Sequence, residues 1–309
     1  MDKQNCRVVY GQTLVEMGKE NTNIVALDAD LSKSTMTSLF QEAYPERYFE
    51  MGIAEQNMVS TAAGLAISGK IPFINSFAVF STGRVYDQIR QSICIGKVNV
   101  KIIGSSCALS DFADGATHQG IEDIAIMRAI PNMTVLAPAD GIETKKIAKA
   151  AADYDGPVYI RINRNPMPDM TNPDEEFKIG EPAVVREGND LVIFANGYML
   201  WKALKAAETL ENDGISVRVV NVSSLKPVNE EAIKKLASDV KGVITMEEHS
   251  IIGGLASIVT FILRGGSIPI EPIAINDSFG QSAHGYEELL DHYGLTEEAV
   301  IKAAKNILG

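Results

Sequence analysis

In the stretch RYFEMGIAEQNMVSTAAGLAISG, residues 47–69, one carboxylate interrupts an apolar helical pattern just past a glycine turn: Glu55. Taken alone, Glu55 is explained as a first-turn glutamate that complements the helix dipole and faces water. The sharper reading is a carboxyl kept in a dry site, where it can share a proton with a bound ligand. Phe77 and Phe80 follow, three apart in NSFAVFSTG, either as core aromatics or as a flat apolar platform. Asp114 and His118 stand four apart in DGATHQ. Asp-Gly by itself suits a solvated bend, whereas a histidine can donate to an alkoxide or exchange protons near neutral pH. Arg7, Ser34 and Arg164, read singly, are surface arginines and a helix-capping serine.

These residues sit between regular elements. Short branched apolar runs, bounded by polar residues, predict strands at Asn23–Ala29, Tyr48–Met51, Pro72–Ser76, Val98–Gly104, Thr134–Ala137 and Val158–Ile162. Helical patterns fall at Val8–Gly18, Gly83–Cys94, Gly120–Ala129 and Ile142–Asp153, with another helix opening after DADLSKST. Non-alternating strands interleaved with helices predict an α/β fold, a mostly parallel sheet with helices on both faces. Residues 164–182, RNPMPDMTNPDEEFKIGEP, hold four prolines and five acids and read as a linker. Beyond it, strands at Ala183–Arg186, Asp190–Ala195, Val217–Val222, Val243–Glu247 and Ile273–Ile275 alternate with helices at Met199–Leu210, Glu230–Ser238, Gly254–Leu263 and Glu297–Ile307. The organisation expected is a domain over 1–165, a linker over 166–182 and a second, smaller α/β domain over 183–309.

Composition narrows the function classes. At 309 residues there is room for two cores, and 46% hydrophobic with 22% charged residues is ordinary globular usage. A net charge of −12 argues against a general nucleic-acid or anionic-membrane binder. Cys6, Cys94 and Cys107 are odd in number and scattered, which suggests neither a disulfide frame nor a zinc site. No basic start leads into an apolar run, and the longest uncharged apolar stretch, Ile251–Leu263, is too short to span a bilayer, so the cytoplasm is the expected location.

GIAEQNM, FAVFSTGRVYDQIR (77–90), DGATHQGIEDIAIMR (114–128) and PNMTVLAPAD (131–140), in that order, resemble the pyrimidine-binding domain of transketolase. The resemblance continues through the second half as a transketolase C-terminal domain, so it covers nearly the whole chain. It implies thiamine diphosphate as cofactor. It makes Glu55 the carboxyl that bonds the pyrimidine ring nitrogen and favours the imino tautomer, and Phe80, with Phe77 beside it, the stacking surface. Asp114 and His118 would then take sugar hydroxyls and the ketose end, and Arg7, Ser34 and Arg164 the substrate's anionic end, for which arginine's donor fork is suited.

Two departures stand out. Gly83 replaces a tyrosine that some relatives carry in the aromatic loop. GSSCALSDFAD (104–114) places Ser106 where the family usually has a histidine that reaches the phosphate, and Phe112-Ala113 where it has Gly-Glu. The expectation is an unusual anionic end: a sulfonate, a displaced phosphate, or none. The diphosphate-binding domain, with its GDG and distant asparagine, has no counterpart here. The resemblance is therefore to the C-terminal subunit of a split transketolase, which implies an N-terminal partner subunit holding the diphosphate and Mg2+ (or Ca2+), in an α2β2 assembly. His249 and His284 read as structural. Two further enzyme readings share these domains, a deoxyxylulose-phosphate synthase half and a 2-oxo acid dehydrogenase beta chain; DGATHQ fits the dehydrogenase poorly. A non-catalytic subunit that keeps the fold is the reading from outside enzymology.

Overall fold

The branched runs become strands of two sheets in the computed structural model, which describes residues 3–309. In chain order the strands are β1 (Lys3–Asn5), β2 (Ile24–Asp28), β3 (Tyr48–Glu50), β4 (Ile71–Phe77), β5 (Lys101–Ser105), β6 (Thr134–Leu136), β7 (Val158–Arg161) and β8 (Pro166–Pro168). They continue with β9 (Ala183–Arg186), β10 (Leu191–Ala195), β11 (Val217–Asn221), β12 (Ser224–Lys226), β13 (Gly242–Ser250) and β14 (Ile270–Ile275). The larger sheet has the order β12-β6-β7-β5-β4-β2-β3 and is parallel apart from the edge strand β12. The smaller has the order β14-β13-β10-β11-β9 and is parallel apart from β9.

Successive side chains in a strand face opposite ways, and the two cores divide accordingly. Phe73 and Ile103 pack with Tyr10 and Leu14 of the helix Cys6–Glu20 and Ile147 of the helix Gly141–Asp153. Their neighbours Ile74 and Ile102 pack on the opposite face with Met58 and Val59 of the helix Glu55–Ile67. The smaller sheet repeats this, with Ile193 under the helix Met199–Asn212 and Phe194 over the helix Leu255–Ile262.

The expected mostly parallel, two-sided architecture is present, with local differences. The pattern over Gly83–Cys94 is not one helix: Gly83, Arg84 and Val85 form a turn between the helix Ala78–Thr82 and a short helix, Tyr86–Gln88, that runs into the π-helical turn Ile89–Cys94. Gly83, with the β-branched Thr82 before it and Val85 two residues on, makes the stretch poor helix material. Pro166–Pro168, read as linker, pairs antiparallel with β1, an edge position that tolerates proline. Strand β12 comes from beyond the acidic segment yet completes the larger sheet by pairing with β6.

The two sheets are joined through buried polar groups. Arg161, at the end of β7, donates through Nε to the Asp123 carboxylate at 2.8 and 3.1 Å and through Nη2 to the Glu248 carbonyl at 2.7 Å. Tyr159 donates to Asp123 at 2.6 Å. Asp123 is fully buried and Arg161 nearly so. Replacing Asp123 with alanine would leave a buried guanidinium and a phenol without their acceptor, so denaturant unfolding should show a loss of roughly 3–5 kcal/mol. A loss under about 1 kcal/mol, the value of an exposed pair, would contradict this account of the join.

Candidate functional site

The loops that leave the carboxyl ends of β2, β3, β4, β5 and β7 lie side by side on the larger sheet. After β2 the chain moves to the sheet edge to form β3, then returns past β2 to β4. Such a reversal opens a crevice outside the carboxyl ends of an α/β sheet.

Beyond β3 the chain turns at Gly52, whose φ of +64° suits glycine. Glu50 secures the turn by accepting from the backbone N–H groups of Asp30 and Gly52. The turn delivers Glu55 as the first residue of its helix, and its side chain is 4% exposed rather than solvated. Its Oε1 accepts from Arg84 Nη1 at 2.7 Å. The Arg84 side chain is 45% exposed, and its guanidinium lies 4.5 Å over the Phe80 ring. Phe77 and Phe80 are stacked, with centroids 6.2 Å apart and planes 15° off parallel. His118 meets Phe80 edge-on at 5.3 Å and Phe77 at 6.2 Å, and its Nδ1 is 2.9 Å from Thr117 Oγ1. Glu55, Phe77, Phe80 and His118, scattered in sequence, thus form one cluster closed by Arg84.

A charged group adjoins its Phe77 side. Arg164 lies 6.0 Å over Phe77 and donates to Asp111 at 2.6 Å. The Asp111 carboxyl is buried, which raises it above the ordinary carboxylate range; Arg164 opposes the rise and Asp114 adds to it. Arg7 donates to the Ser34 carbonyl at 2.7 Å, while its buried Nε has no partner among the described residues. The Arg7 guanidinium is held below its ordinary value, by burial first and then by the like charge of Arg164. Asn5 connects the two, capping at the Arg7 N–H and donating to the Arg164 carbonyl. Ser106 is fully buried, with φ +50°, and its hydroxyl has no partner among the described residues.

The second domain fixes the loop after β5. Gln119 donates to the carbonyls of Asp111 and Gln281, and the Glu248 carboxylate accepts from the Leu109 N–H at 2.9 Å. His249 is buried and accepts from the Ala125 N–H, a packing role; His284 is exposed. Sequence reasoning did not assign Asp111 or the ion pair of Arg84. The available signal was a single charge in each otherwise neutral loop stretch, ALSDFA and FSTGRV.

Two family profiles match the chain: the transketolase pyrimidine-binding domain over residues 2–169 and the transketolase C-terminal domain over residues 180–300. The chain belongs to the transketolase family. A solved split-gene transketolase, described as an inactive β4 tetramer, superposes with a TM-score of 0.90 at 47% identity, covering 99% of both chains. The 6-deoxy-6-sulfo-D-fructose transketolase subunit SqwH of Clostridium sp. (strain MSTE9) is 38% identical over 97% of this chain and 94% of its own. One of the subunits of the apulose-4-phosphate transketolase of Phocaeicola vulgatus is likewise 38% identical, over 97% of this chain and 96% of its own. The chain is thus a split-type transketolase subunit, with the pyrimidine-binding and C-terminal domains in one polypeptide.

Within this transketolase subunit the turn that bears Ser34 is built on Asp28, at the end of β2. Its carboxyl accepts from Thr35 Oγ1 at 2.7 Å, Thr37 Oγ1 at 2.8 Å and the Leu31 N–H at 2.7 Å. Burial nevertheless raises Asp28 to about 6 from 3.8, because desolvation outweighs those bonds. The folded carboxyl therefore binds its proton more tightly than the unfolded one, and ionising it costs stability as pH rises from about 4 to about 6. Unfolding measured across that range should show the wild type losing up to about 3 kcal/mol relative to Asp28→Asn. Parallel pH profiles for the two proteins would refute the assignment.

Proposed function

We propose that this subunit takes part in a thiamine-diphosphate-dependent transfer of a two-carbon ketol unit from a ketose to an aldose, active together with an N-terminal subunit that carries the diphosphate-binding domain. The observation that carries the reading is the enclosed Glu55 carboxylate beside the stacked Phe77–Phe80 pair. A flat heteroaromatic ring with a basic nitrogen fits that chemistry: an apolar face for stacking and an acceptor in a dry site. The one side-chain hydrogen bond of Glu55 among the described residues is to an exposed, displaceable arginine.

When bound, thiamine diphosphate supplies the nucleophilic carbon that carries the two-carbon unit. In this reading Glu55 holds a proton shared with the pyrimidine ring nitrogen. Half-buried Phe80 offers its face to the ring, and buried Phe77 backs it. His118, at the edge of both rings, exchanges a proton with the sugar oxygen, and Asp114 accepts from a hydroxyl. Arg7, Ser34 and Arg164 hold the anionic end of the substrate, with the unpaired hydroxyl of Ser106 as a further donor. Phosphate and sulfonate are both in keeping with the names of the two relatives at 38% identity.

The partner subunit would hold the diphosphate and Mg2+ (or Ca2+). Self-association within an α2β2 assembly is part of the proposal, supported by the tetramer described for the split-gene relative. The boundaries 1–165, 166–182 and 183–309 belong to it too, supported by the acidic proline-rich segment between the two sheets. Cytoplasmic residence rests on three free, buried cysteines, as a reducing compartment keeps them. No helix among the described residues is long and apolar enough to cross a membrane.

Glu55→Gln keeps the side-chain shape and removes the proton-sharing carboxylate. Assembled with the N-terminal subunit, it should lose about 100-fold or more in ketol-transfer rate, within the range of positioned proton transfer. Stopped assays with a ketose donor and an aldose acceptor would read this. A variant as fast as the wild type would remove Glu55 from the chemistry.

A further inference from the structure

The charges beside Phe77 do not add up to a receptor for a dianion. Arg7 and Arg164 bring two positive charges close enough that the charge of Arg164 lowers the Arg7 guanidinium. Asp111 answers one of them directly, with its carboxylate 2.6 Å from Arg164 Nη1. Asp114 lies beside Asp111 and adds a second negative charge. The Asp111 side chain is 2% exposed against 34% for Arg164, so the acid is enclosed and the guanidinium fronts the opening. An enclosed carboxylate cannot turn to water for solvation, and its pairing with Arg164 persists when a ligand arrives.

We propose that Asp111 determines substrate specificity by cancelling the charge of Arg164, so that the site favours a ketose with a monoanionic or neutral end over one ending in a phosphate dianion. This inference rests on the ketol-transfer reading given above. Arg164 keeps donors free for hydrogen bonding, since one guanidinium nitrogen serves Asp111 and the fork carries five N–H groups. It contributes geometry without net charge. Arg7 has an unpaired buried Nε and no carboxylate hydrogen-bonded to it among the described residues, so it supplies the one positive charge of the pair that no carboxylate meets directly. A sulfonate carries a single negative charge at neutral pH, whereas a phosphate monoester carries between one and a half and two. The lone charge of Arg7 matches the first and underserves the second.

The test compares wild type, Asp111→Asn and Asp111→Ser, each assembled with the N-terminal subunit. Two readouts are taken: the ratio of kcat/KM for fructose 6-phosphate over its 6-sulfonate counterpart, and calorimetric binding of inorganic phosphate, which needs no turnover. Freed from its counter-charge, Arg164 should raise the kcat/KM ratio about tenfold, or about 1.4 kcal/mol, and phosphate should bind correspondingly tighter. Asp111→Glu, which restores the charge, should bring both back towards wild type. An unaltered ratio, or weaker phosphate binding in variants that melt like the wild type, would overturn the inference. Absence of ketol transfer by the assembled wild type on any ketose would instead strike at the proposed function, and phosphate binding by the same variants would still decide the role of Asp111. Asp111→Ser covers the case in which Asp111→Asn fails to fold.

Discussion

The site depends on one constraint of parallel sheets: all strands deliver their carboxyl ends to the same edge. Asp28, Glu50, Phe77, Ser105 and Arg161 end neighbouring strands, and the loops that leave them have nowhere to go but over one crevice. Residues from Arg7 to Arg164 can therefore share a small volume although the sequence separates them widely. Glu55 is buried as a consequence of this placement. A glycine turn at the end of β3 aims a helix start inward, and the dry surroundings come from loops supplied by β4. The same carboxylate on an isolated helix would face water and do no more than complement a dipole.

The second domain contributes stiffness to that edge. Glu248 is fully buried and accepts from the Leu109 N–H, the Tyr286 hydroxyl and the Asn163 side chain, so one carboxyl ties together the loops that carry Asp111 and Arg164. Burial raises Glu248 to about 7 in spite of those donors and of Arg161. A buried carboxyl is costly unless its hydrogen-bonding capacity is used, and here it is used across the domain boundary. Domain contact and loop geometry are thereby the same set of bonds, so a displacement of the second domain would reach the Asp111–Arg164 pair without touching Glu55.

Most of the architecture was legible because it rests on local periodicity. Branched apolar runs marked the central strands, and the burial of Phe73 and Ile103 in one core and of their neighbours Ile74 and Ile102 in the other explains why both sheet faces had to be covered. What escaped depends on partners far away in sequence. Lys3–Asn5 becomes a strand only because Pro166–Pro168 lies against it, and Ser224–Lys226 only because β6 offers an open edge. The site residues divide in the same way. Glu55, Phe80 and His118 sit in long colinear motifs and could be picked out by resemblance. Asp111 and Arg84 have meaning only through the charges they meet, and no spacing rule connects positions 111 and 164. Ser106 was legible only by resemblance, as a donor to substrate; its burial and the lack of any partner for its hydroxyl among the described residues depend on a left-handed backbone turn that no sequence pattern marks.

The two ion pairs of the site look alike in distance, at 2.7 Å for Arg84–Glu55 and 2.6 Å for Arg164–Asp111, and each guanidinium overlies a phenylalanine. Their physical roles diverge. Each pair joins an enclosed carboxylate to an arginine that reaches towards solvent, and Arg84, the more exposed of the two, can be solvated itself once another group takes its place at Glu55. The Arg84 guanidinium has little holding it beyond Glu55 and the Phe80 face, so a ring bound against Phe80 must displace it and would inherit Glu55. Arg164 is held from behind: its N–H donates to Ser110, its carbonyl accepts from Asn5, and the next residue donates to the Ser110 carbonyl. Its side chain starts from a fixed backbone and its partner cannot leave. On the proposed function the first pair is thus a plug for the cofactor ring to displace, and the second is a fixed part of the wall whose charge a substrate would have to accommodate.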